Sequence, residues 1–150
     1  MKRVIFRMFL AVAAVVLSMG CQSEGQKYLE QIVGEWHHRG VESGVQEDVW
    51  IAFSQDMTFE LYQKIGEGVH RSITGRYSLN ADNKTISGLY EDNYPWKYDY
   101  KFEVNGNTLV LTAVSDTYSV TYTREAIPGE VRQMSLPLVK SVSAQLPRCL

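Results

Sequence analysis

Cysteine is nearly missing: Cys21 and Cys149 are the only two in 150 residues, too few for a disulfide framework. Clustered positive charge is missing as well. The chain carries 15 basic and 17 acidic residues, with no run of Lys and Arg. Nucleic acid is therefore excluded as a partner, because phosphate contacts need gathered cations. There is no Gly-x-Ser-x-Gly turn, no phosphate-binding glycine loop and no internal repeat. The most apolar segment, Phe9 to Leu17, is too short for a bilayer, which takes about 20 residues.

What is present begins at the amino terminus. Lys2, Arg3 and Arg7 form a positive region, the apolar run follows, and small or apolar residues lead to Cys21. This is the layout of a secretory signal peptide over residues 1–20. Leu17-Ser18-Met19-Gly20-Cys21 resembles a bacterial lipobox. The resemblance implies cleavage before Cys21 and a lipid anchor on it. The protein would then lie in the cell envelope, at the outer membrane, with the membrane as a partner. Two or three acyl chains hold a protein stably, at about 0.8 kcal/mol per buried CH2. Acylation of Cys21 would leave Cys149 unpaired. Removing residues 1–20 leaves 12 basic and 17 acidic residues, a net charge near −5. Residues 21–27 read as the lipidated Cys and a polar tether.

Residues 28–133 read as one β-domain. Tyr28 to Val33 fits one or two helical turns, ended by Gly34. From there the apolar period is two. Eight strands follow: Glu35 to Arg39, Gln46 to Ser54, Thr58 to Ile65, Val69 to Leu79, Lys84 to Glu91, Trp96 to Val104, Thr108 to Val114 and Thr117 to Arg124. The sixth alternates most cleanly, with Trp96, Tyr98, Tyr100, Phe102 and Val104 on one face and Lys97, Asp99, Lys101 and Glu103 on the other. Asn105-Gly106 is a hairpin turn. Short links and no crossover helix imply antiparallel neighbours. Closure removes the exposed edges, and the isolated Gly75 and Gly88 suit the coiling of a small barrel. The fold class is all-β, an eight-stranded antiparallel up-and-down barrel. Residues 134–150 contain Pro137 and Pro147 and read as an irregular tail.

Gly34-Glu35-Trp36 opens the first strand and Arg124 ends the eighth. This pattern resembles the lipocalins, in which the Arg lies across the Trp ring and closes one barrel end. Parity agrees, because Arg124 shares a face with Tyr118, Val120 and Tyr122. A wider series resembles the lipocalin-like domains of bacterial lipoproteins. It includes Ile51-Ala52-Phe53, Thr58-Phe59-Glu60-Leu61, Gly75-Arg76-Tyr77, Ile86-Ser87-Gly88-Leu89-Tyr90, Leu109-Val110-Leu111-Thr112 and Tyr122-Thr123-Arg124-Glu125-Ala126-Ile127-Pro128, and spans about residues 30 to 131.

No catalytic residue, metal ligand or cofactor emerges. His37 and His38 are adjacent on a strand and face opposite ways, so they cannot share an ion. His70 has no ligand spacing. Glu47-Asp48 and Glu91-Asp92 fail as acid–base pairs for the same alternation. The chain is read as non-enzymatic. The leading function is binding of a small apolar or aromatic ligand inside the barrel. Its lining would be drawn from Phe53, Phe59, Tyr77, Tyr90, Trp96, Tyr98, Tyr100, Phe102, Tyr118 and Tyr122. The alternative is a filled barrel serving as a structural or interaction module, with Trp50 or Tyr94 in an outer aromatic patch.

Overall fold

Ser23 caps the first helix, its hydroxyl accepting the Gln26 amide at 3.3 Å, and α1 (Glu24–Ile32) buries Leu29 and Ile32. In this computed structural model the described residues are 23–138, 149 and 150. The signal segment and Cys21 lie outside them. The polar stretch read as a tether is partly helical, because Ser23 supplies the cap and Leu29 and Ile32 supply an apolar face one turn apart.

Eight antiparallel strands follow: β1 (Gly34–Glu42), β2 (Val45–Phe53), β3 (Thr58–Ile65), β4 (Arg71–Asn80), β5 (Thr85–Tyr90), β6 (Tyr100–Asn105), β7 (Thr108–Ala113) and β8 (Ser119–Arg124). Each pairs with the next in sequence, and β1 pairs with β8. The sheet is thus a closed up-and-down barrel, the architecture that alternation and short connections imply. One face of each strand supplies the interior, including Trp36, Ile51, Leu61, Ile86, Phe102, Leu111 and Tyr122. The seams are unequal. β1 and β2 stay in register from Gly34↔Phe53 to Glu42↔Val45, whereas β1–β8 has Trp36↔Arg124 and His37↔Thr123, and β5–β6 has Thr85↔Lys101 and Ile86↔Tyr100.

The sixth strand departs from the sequence reading. It starts at Tyr100, and Trp96 to Asp99 form a connection. The Tyr90 amide bonds the Tyr94 carbonyl at 2.8 Å, and the Trp96 amide bonds the Gly88 carbonyl at 2.9 Å. These bonds double the chain back on β5, so Trp96 and Tyr98 reach the interior from a loop. Inward and outward residues still alternate, which is why the sequence reads as strand.

After β8 come a short helix and, within the segment read as an irregular tail, a two-residue strand. Helix α2 (Gly129–Met134) packs Val131 outside the barrel in a second apolar cluster with Trp50, Ala52, Tyr62 and Ile127. Trp50 is therefore buried there and presents no outer patch; Tyr94 is exposed. Strand β9 (Leu136–Pro137) then runs parallel to β4, opposite Arg71 and Ser72. That stretch of β4 lies beyond Gly75↔Tyr90, where β5 ends, so its backbone groups need another partner.

Candidate functional site at the barrel mouth

One barrel end is shut. Trp36 is fully buried, and its indole donates to the Ile32 carbonyl at 2.8 Å. The Arg124 guanidinium lies over the indole, 4.1 Å from the ring centroid. It also donates to the carbonyls of Val33 at 2.9 Å and Gln31 at 2.8 Å, which ties α1 across the opening. Gly34 is required here twice over: its φ is +137°, and a Cβ would fall 2.3 Å from Arg124 Nη1.

The middle is packed with aromatic rings. Phe53, Phe59, Tyr77, Tyr90, Trp96, Tyr100, Phe102 and Tyr122 are all buried. Phe59 meets Tyr90 at 5.9 Å and Trp96 at 5.2 Å between centroids, and Phe53 meets Tyr77 at 5.1 Å, each edge to face. The two strand glycines make room for this packing. A Cβ on Gly88 would lie 2.3 Å from the Trp96 indole, and one on Gly75 2.6 Å from the Phe59 ring. Most of the ten candidate lining residues thus pack on one another.

Tyr98, Tyr100 and Tyr118 border space among the described residues at the opposite end. A cavity of about 280 Å³ lies there, also bounded by Glu42, Glu47, Lys97 and Cys149. Tyr98 and Tyr118 stack at 6.2 Å, and Tyr98 meets Tyr100 edge to face at 5.9 Å. The Tyr98 hydroxyl donates to Asp116 Oδ2 at 2.7 Å, which fixes the ring, and Lys97 Nζ lies 4.9 Å from its centroid. Burial raises the Glu47 pKa, and the neighbouring Glu42 raises it further, against an opposing influence from His38. Burial, followed by Glu42 and Glu47, also pushes the Tyr118 phenol up. The mouth is therefore aromatic-walled, with Glu42, Glu47 and Lys97 at its rim.

Below the mouth, the interior holds a piece of the tail. Leu150 is 1% exposed and belongs to the core cluster. The buried Tyr90 hydroxyl donates to the main-chain oxygen of Leu150 at 2.7 Å. The Cys149 amide donates to Gln63 Oε1 at 3.0 Å, and Gln63 is itself 2% exposed. Burial pushes the Cys149 thiol up to about 12, with Glu47 and Glu42 adding to the effect. Sequence reading missed this arrangement. One signal was available, since alternation places the polar Gln63 on the inward face with Phe59 and Leu61.

The outer wall carries the other cluster that sequence spacing missed. His37 and His38 face opposite sides: His37 stacks on Trp50 outside at 3.6 Å, and His38 bonds the Thr121 carbonyl at 2.8 Å. His37 contacts Asp48 at 2.7 Å and Glu125 at 2.9 Å, and His70 lies 3.3 Å from Asp48. Burial opposes ionisation of Asp48, but the His37 hydrogen bond and the charges of Arg39, His37 and His70 outweigh it and lower its pKa. His70 is lowered by burial in spite of Asp48. Among the described residues, no group of three or more His, Cys, Asp or Glu side chains is placed to hold a metal ion, and no helix is long and apolar enough to cross a membrane.

No protein-family model matches the chain, and no curated protein is significantly similar to it. Among solved structures, the chain is similar to a protein from Bacteroides uniformis ATCC 8492 determined by NMR. The TM-score is 0.53 at 18% identity, over 66% of this chain and 93% of that one. At that identity the likeness concerns the fold alone, and it agrees with the closed barrel described above.

Proposed function

We propose that this is a lipid-anchored envelope protein that binds a small ligand with an apolar or aromatic body at the barrel mouth. The observation that carries the binding reading is the cavity walled by Tyr98, Tyr100 and Tyr118 and rimmed by Glu42 and Glu47. Flat rings favour an aromatic or apolar guest, and their faces also attract cations. Two carboxylates against the one ammonium of Lys97 at the rim favour a neutral or basic ligand over an anion such as a fatty-acid carboxylate. The anchor reading rests on the signal layout and Cys21.

Native mass spectrometry of the protein from its envelope fraction, followed by denaturing extraction, tests the binding reading. A reproducible extra mass that leaves on denaturation, and is reduced by Tyr98→Ala, supports it. A bare mass, with no uptake of neutral or basic aromatic compounds, removes it. The second reading, a filled barrel acting as an interaction module, then gains weight from the packed interior and buried Leu150. For the anchor, Cys21→Ala should release the protein from membranes, and retained attachment would count against lipidation.

A further inference from the structure

We infer that the barrel contains a second, deeper site for an aliphatic peptide unit, and that the chain's own Cys149–Leu150 occupies it. The inference goes beyond the mouth reading and does not depend on it. Three features define the site. Gln63, on β3, accepts the amide of the first residue at 3.0 Å. Tyr90, the last residue of β5, donates to the main-chain oxygen of the second residue at 2.7 Å. The Leu150 side chain between these bonds is 1% exposed and counted within the main core.

These contacts amount to peptide recognition by side chains. A backbone amide and a main-chain oxygen entering an apolar interior each lose water, and that loss is tolerable only where a partner waits. Gln63 is the single polar side chain buried to this degree among the described residues, on a strand face otherwise apolar at Phe59 and Leu61. Tyr90 sits among Phe59 and Leu150 with its hydroxyl directed to that oxygen. The ligand class follows from this chemistry: an N-acylated residue followed by a branched aliphatic residue, with the amide and the aliphatic residue's main-chain oxygen both recognised. The chain's own tail and a free peptide share these groups, so either can fill the site, and each excludes the other.

Two measurements test the site, with N-acetyl-Ala-Leu-amide as the probe. The first uses the full chain and its Leu150→Gly variant, with fold checked by circular dichroism. Calorimetry should show the variant binding one probe at least tenfold more tightly than the parent. Adding Tyr90→Phe to the variant should weaken binding about three- to tenfold, the usual worth of a single neutral hydrogen bond. A folded variant that does not bind the probe overturns the inference. The second uses the parent alone and does not depend on the variant folding. Alkylation at Cys149, read by peptide mass mapping, should be slow, and should speed up saturably as probe displaces the tail. A rate independent of probe overturns the inference. A probe response without any mouth ligand would leave this site standing and remove the mouth reading; a mouth ligand without a probe response would do the reverse.

Discussion

Arg124 performs three tasks that no other side chain could combine. It covers the Trp36 ring and bonds two carbonyls at the end of α1. Arg124→Ala should therefore cost about 2–4 kcal/mol, from the lost cation–π contact and the lost charged hydrogen bonds. Urea denaturation measures the loss. Lys at this position should recover little, because a point charge cannot fork to two carbonyls and stack at once. Gly88 is constrained by space. Its missing Cβ leaves room for the Trp96 indole, so Gly88→Ala should cost about 1–3 kcal/mol through displacement of a packed ring. The midpoint of the same urea transition checks it. The sequence marked both positions, Gly34-x-Trp with Arg124 as a motif and Gly88 as a glycine inside a strand. It did not show that Trp96 fills the space over Gly88, because that contact depends on a loop doubling back on β5.

At the scale of elements, α2 is held to the barrel wall by a small apolar cluster and by one cation. Arg132 reaches Glu35 Oε1 at 2.6 Å, pairs with Glu60 and lies over the Tyr62 ring. The Ile127 amide adds a bond to Glu35 Oε2 at 2.6 Å. Arg132→Ala should cost about 1 kcal/mol at low salt and less at high salt, because the pair is partly exposed and screened. Denaturation at two ionic strengths separates these outcomes. The strands themselves were legible as elements, since an apolar period of two runs through most of them, as in β6, β7 and β8. Their ends were less so. β6 loses Trp96 to Asp99 to a connection because the backbone bonds of that segment go to β5 rather than along a ladder. The tail was illegible for a related reason: Leu136 and Pro137 pair with β4 where β5 stops short, and no local pattern records where a distant strand ends.

For the whole molecule, burial of phenols and a thiol couples the barrel to alkaline pH. Burial, then the charge of Asp56, pushes the Tyr77 phenol from its ordinary 10.0 to about 12, and burial pushes the Cys149 thiol from 9.0 to about 12. Tyr100, Tyr118 and Tyr122 shift in the same direction, burial being the largest cause for each. Between pH 9 and about 12 the unfolded chain releases protons that the folded barrel retains. Stability should therefore fall as pH rises through that window. Thermal melts at a series of pH values check this, and a flat profile above pH 9 would contradict it. The sequence by itself determined the architecture. Alternation gives each strand one apolar face, short turns make neighbours antiparallel, and eight such strands bury their edges by closing. Tertiary structure alone decided what fills the barrel. Whether inward rings pack or leave a cavity depends on how facing strands, a doubled-back loop and the Cys149–Leu150 segment share one volume. That sharing is set by distances between residues far apart in the chain, which a local pattern does not encode.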